Sequence, residues 1–196
     1  MEEPLMSSAP AAEQSVASMR AEREPCRCAV SAAAAALLDQ CAEFVRSVPA
    51  RRYTEESRRI RGGTIGKHVR HTLDHFRACL DGAEPGQVAD YDHRQRNVPM
   101  ELDPARALAA IGELSGRLAK IDDARLRAPM RVRVMLTGDG VYAELSSTLG
   151  RELAFATHHA VHHHAMLGAI AAELGLQTPP DFGKAPSTIH HDREAR

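Results

Sequence analysis

The sequence predicts an all-α fold, a four-helix bundle with one small β-hairpin between the third and fourth helices. Three observations carry that expectation. Four segments repeat apolar residues three and four apart, proline and glycine punctuate their ends, and one stretch alternates apolar and polar residues before a "GDG" turn. At 196 residues the chain has room for one domain with a substantial core, plus tails.

Residues 1–25, "MEEPLMSSAPAAEQSVASMRAEREP", are rich in Ser, Ala, Glu and Pro and carry few large apolar groups. Such a segment buries too little surface to offset the entropy of ordering, so a disordered tail is expected there. The helical domain is expected over 26–176, and an irregular tail over 177–196. The first helix spans Ala29 to Val48, with Leu37, Leu38, Cys41, Phe44 and Val45 on one face, and Pro49 ends it. The second covers 64–81, "TIGKHVRHTLDHFRACLD", with Ile65, Val69, Thr72, Leu73, Phe76 and Leu80 as its stripe and Gly82 as its stop.

The following "AEPGQVADYDHRQRNVPMELD" holds no sustained period and reads as a loop of about twenty residues, a length that in compact domains often serves function. Asp103 before Pro104 is a good N-cap with proline at the first helical position, and the third helix continues from there. Val132, Val134 and Leu136 alternate with polar neighbours before "GDG", which is the hairpin signal. The fourth helix runs from about Ser147 to Leu174. No internal repeat is evident.

Charge and cysteine usage narrow the function classes. Lys plus Arg number 25 and Asp plus Glu 26, so there is no general basic field for nucleic acid or an anionic membrane. The longest apolar run, "CAVSAAAAALL", is too short to span a bilayer. Cys26, Cys28, Cys41 and Cys79 form neither a Cys-x-x-Cys pair nor a dense disulfide framework, which fits a reducing cytoplasm with Cys26 and Cys28 as free thiols.

Five of the eleven histidines lie in "HHAVHHHAML", residues 158–167. The run is internal and interrupted, unlike an affinity tag. On the fourth helix Leu149, Leu153, Ala156, Ala160, His163, Leu167, Ile170 and Leu174 form a core-facing seam, so His163 stands where the pattern wants an apolar residue. His159 lies about 40° to one side of it, still inward. His158 points outward, and His162 and His164 flank. An i, i+4 pair such as His159 and His163 brings two imidazoles to one point, as a first-row metal requires. No Glu follows either candidate first histidine in the manner of zinc proteases, so that class is excluded.

A pair needs a third ligand from a facing helix. The second helix offers His68, His71 and His75 in "HVRHTLDH", all in one sector of about 60°. The apolar stripe centres nearer His68 and His75 than His71, and the wheel alone leaves the choice among them open.

With "TIGKHVRHTLDHF" at 64–76 and "HHAVHHHAML" at 158–167, the chain resembles the DinB superfamily of four-helix, three-histidine metal proteins. The resemblance covers most of residues 29–175. It implies a divalent ion, zinc first and iron or nickel after it, held by His71 (three residues before Asp74), His159 and His163, with His68 as the alternate. It also implies an enzyme that activates a low-molecular-weight thiol in a transferase reaction, or water in a hydrolase reaction; the non-catalytic alternative is a metal-binding or stress-associated bundle. The partners implied are a small-molecule substrate or thiol, and a homodimer is one assembly compatible with the exposed helix faces. Many members carry an Arg-Gly-Gln run after the second histidine of the pair, where this chain has His164, Ala165 and Met166.

Two further groups are candidates beside the ion. Glu152 lies on the inward face about two turns before His159, placed to orient a substrate or a ligand's second nitrogen. In the long loop, Tyr91, Asp92, Arg94 and Arg96 within 91–97 are placed to cover the cavity and hold an anionic substrate.

Overall fold

The structure, a computed structural model, describes residues 28–93 and 98–195. The expected disordered tail, Cys26, and Arg94 and Arg96 of the loop lie outside the described residues. Four long helices make the body: α1 (Cys28–Ser47), α3 (Ile65–Gly82), α4 (Pro104–Leu118) and α6 (Leu149–Glu173). They close a ring in which α1 and α3 each pack against both α4 and α6. Three short helices, α2 (Ala50–Tyr53), α5 (Asp123–Leu126) and α7 (Pro186–Glu194), accompany them.

The long helices form for the local reasons that the sequence displays. In α3, Thr64 accepts a hydrogen bond from the Lys67 amide and so caps the first turn. Asp103 does the same for α4 through the Ala105 amide, and Thr148 for α6 through the Arg151 amide. The buried faces follow the apolar periods: Leu38, Cys41, Phe44 and Val45 of α1 meet Val69, Leu73 and Phe76 of α3 and Leu153, Ala156, Ala160 and Leu167 of α6 in one core. Pro49 separates α1 from α2, whose Tyr53 turns inward and donates its hydroxyl to the Met100 carbonyl at 2.9 Å.

Glycine sets the spacing at two places. A Cβ on Gly66 would fall 2.0 Å from the Glu101 carbonyl oxygen, and one on Gly82 would fall 2.4 Å from the Ala89 backbone. Both contacts hold the chain after α3 close against it.

The all-α expectation is corrected here. The fold is mixed α/β, with a three-stranded sheet in the order β1-β2-β3 beside the helices. Strands β2 (Pro129–Met135) and β3 (Tyr142–Thr148) pair antiparallel, Val132 opposite Leu145. Strand β1 (Val88–Asp90), in the segment expected to be irregular, pairs parallel with β2, Ala89 opposite Val132. Three residues are too few to show a period, and the partner lies beyond a whole helix, so no local pattern announces this strand. A second difference is at the C-terminal end, where α7 replaces the expected irregular segment. Ahead of it Phe182 packs on Phe44 with ring centroids 4.9 Å apart. Among the described residues no helix is long and apolar enough to cross a membrane.

Candidate metal centre

The contact between α3 and α6 brings together the two histidine-bearing faces. His71, His159 and His163 converge so that one ligand atom from each lies within 4.8 Å of the others. Nε2 of His159 stands 3.2 Å from Nε2 of His71. Two nitrogens bound to one tetrahedral ion at ordinary zinc–nitrogen distances would be about 3.3 Å apart, so the spacing fits the group. The His71 and His163 rings cross steeply, at 78° with centroids 4.4 Å apart.

Electrostatics keep the His159 and His163 imidazoles neutral, the form that binds metal. Burial pushes His159 down to about 4, with His75 and His162 adding to the effect. His163 is pushed down to about 2, by burial first and then by the neighbouring His71, His159, His68 and His162.

His68, the alternate, sits on the far side of His163, Nδ1 to Nδ1 at 3.2 Å, outside the three-membered group. Burial lowers its pKa as well. His158 is exposed and His162 is exposed, while His164 is completely buried beneath Phe182.

Among the described residues Glu152 bonds no histidine. It is buried, and its carboxylate accepts hydrogen bonds from the Tyr91 hydroxyl at 2.8 Å, the Ser147 hydroxyl at 2.6 Å and Arg151 Nη1 at 2.8 Å. Tyr91 in turn stacks on His75, centroids 5.2 Å apart, and His75 stacks on His159 at 3.9 Å. Glu152 thus acts on the His159 ring only through two intervening rings. His75 is further fixed by its Nδ1 donating to the His71 carbonyl at 3.0 Å, and Phe155 covers the other flank of His159. Sequence reasoning weighed His75 only as a candidate ligand and missed Phe155; the structure stacks both against the His159 ring. The signal was present, since Phe155 stands one turn before His159 and His75 one turn after His71.

Asp92, expected to cover the cavity, instead accepts a hydrogen bond from the Met135 amide and ties the loop to β2. The two described free thiols are spent in the core. Burial pushes Cys41 and Cys79 up to about 12, with Glu152 contributing at Cys79, so both stay protonated and neither serves as a ligand.

Comparison with known proteins changes the family reading. A protein of Rhizopus delemar named FK506-binding protein 5 is 36% identical to this chain over 105 residues, which cover 53% of the chain and 27% of that protein. The chain therefore spans only about a quarter of the relative's length. No family model matches, and no solved structure matches.

The relative's name overturns the expected DinB membership, and the expected thiol transferase, hydrolase and stress-associated bundle of that superfamily fall with it. The reason is physical. The two motifs that carried the resemblance are short histidine patterns on amphipathic helices, and helix packing alone brings such patterns face to face.

Proposed function

We propose that this chain is a unit of the kind found within a longer FK506-binding protein, and that the unit is organised about one divalent ion held by His71, His159 and His163. The first part is supported by the 36% identity to the Rhizopus delemar protein. The second rests on one observation, the convergence of three ligand atoms within 4.8 Å. An ion there would tie α3 to α6 and supply a fixed positive charge beneath Tyr91 and Phe155. The residues around it would position the ligands: His75 and Phe155 flank the His159 ring, and Glu152 anchors Tyr91, which stacks on His75. Two protonated core thiols, Cys41 and Cys79, support a cytoplasmic setting.

Elemental analysis of tag-free protein is expected to give one zinc, iron or nickel per chain, with His71→Ala and His159→Ala each losing it and His68→Ala retaining it. Loss in His68→Ala together with retention in His71→Ala would exchange their roles.

The relative's name favours a second reading, that the chain itself binds FK506. Saturable quenching of tyrosine fluorescence on titration with FK506 would support it. Its absence would overturn that reading for this chain.

A further inference from the structure

Beside the histidines, one turn back along α6, the sheet and the helix enclose a separate cavity of about 310 Å³. Its walls are Tyr91, Val132, Val134, Leu145 and Phe155, and one end is polar, formed by Ser147, Arg151 and Glu152. The size is at the lower end for small-molecule sites, enough for one short ligand. Leu145 is 53% exposed and Phe155 38%, so apolar surface stands open at the mouth although the cavity is otherwise formed.

The polar end decides the class of ligand. The Glu152 carboxylate is only 2% exposed and already receives Tyr91, Ser147 and Arg151, so it has little left to offer a cation. Arg151 is different. Its side chain is 66% exposed, it leans over the Phe155 ring at 5.6 Å, and its bond to Glu152 uses Nη1 alone. Among the described residues nothing bonds its Nε or Nη2. A guanidinium held in place by a buried carboxylate and an aromatic face is a preorganised donor fork, suited to a carboxylate.

We propose that this cavity binds a small apolar carboxylate, its hydrocarbon part against Val132, Val134, Leu145 and Phe155 and its carboxylate paired with Arg151. The apolar part contributes through surface removed from water, and the head group through charge-assisted hydrogen bonds. A primary amine of the same chain length would meet the guanidinium, and an alcohol would gain the apolar part alone. The inference stands apart from the ion, because none of the three converging histidines lines the cavity.

The test is calorimetric titration of the full chain with octanoate, octylamine and octanol. Octanoate is expected to bind saturably at one site and more tightly than the other two. Arg151→Gln should weaken octanoate about tenfold or more and bring it to the level of octanol, with Arg151→Lys between. Leu145→Glu, at an exposed position that leaves the core intact, should abolish binding. Circular dichroism of each variant checks the fold, and persistence of octanoate binding in His159→Ala would separate this site from the ion. Failure of octanoate to bind, equal binding of octylamine or octanol, or unchanged affinity in Leu145→Glu would each overturn the proposal.

Discussion

His164 is completely buried, its ring lies flat on Phe182 with centroids 4.5 Å apart, and neither ring nitrogen has a hydrogen-bond partner among the described residues. A buried polar group without a partner costs its desolvation. His164→Phe keeps the stacked shape and removes that cost, so it is expected to raise stability by about 1 to 2 kcal/mol in urea unfolding. A clear loss of stability would mean that the nitrogens are bonded after all. At this scale the sequence was partly legible. The seam placed His163 inward and His158 outward because helix geometry is local. It left His164 on a flank, because its cover is the segment before α7, which folds back so tightly that a Cβ on Gly183 would fall 2.4 Å from the Ala165 amide. No pattern within α6 encodes that contact. The same holds for Tyr91, whose link to Glu152 joins residues far apart in the chain.

Among the elements, α3 carries one of the three converging histidines, His71, and the closest approach of a glycine to neighbouring backbone, at Gly66. Gly66→Ala would drive a methyl group into the Glu101 carbonyl, so a loss of more than about 2 kcal/mol is expected, read from the denaturation midpoint. Gly112, in the exposed face of α4 with nothing within 4 Å of its would-be Cβ, is the control. There alanine is expected to stabilise by about 0.5 to 1 kcal/mol. Equal effects at the two positions would show that helix propensity and not contact governs α3. The four long helices and their caps were legible because capping residues and apolar periods act within a turn or two. Strand β1, the one-turn helices α2 and α5, and α7 were not, since each is stabilised by what it touches and is too short or too polar to show a period.

For the molecule as a whole, acid is the revealing variable. His159, His163 and His164 are all held below the usual imidazole value of 6.5, by burial first in each case, and His164 is pushed down to about 4. A depressed imidazole takes up its proton in the unfolded chain before the folded one. The stability tied to the neutral form is therefore complete above about 6.5 and lost as pH falls from there through about 4. The urea midpoint should fall steeply between pH 6.5 and 4, and His164→Phe should fall less steeply; parallel curves would exclude His164 as a contributor. The parallel pairing of β1 with β2 has a consequence for how the chain assembles. The hairpin of β2 and β3 closes across a short turn, whereas Val88 cannot meet Arg131 until the whole of α4 has been laid down between them. Loop closure over that distance must precede any reward. The sheet is therefore expected to grow outward from its hairpin with β1 joining last, which would make the wall that carries Tyr91 to the histidines the final part of the neighbourhood to take shape.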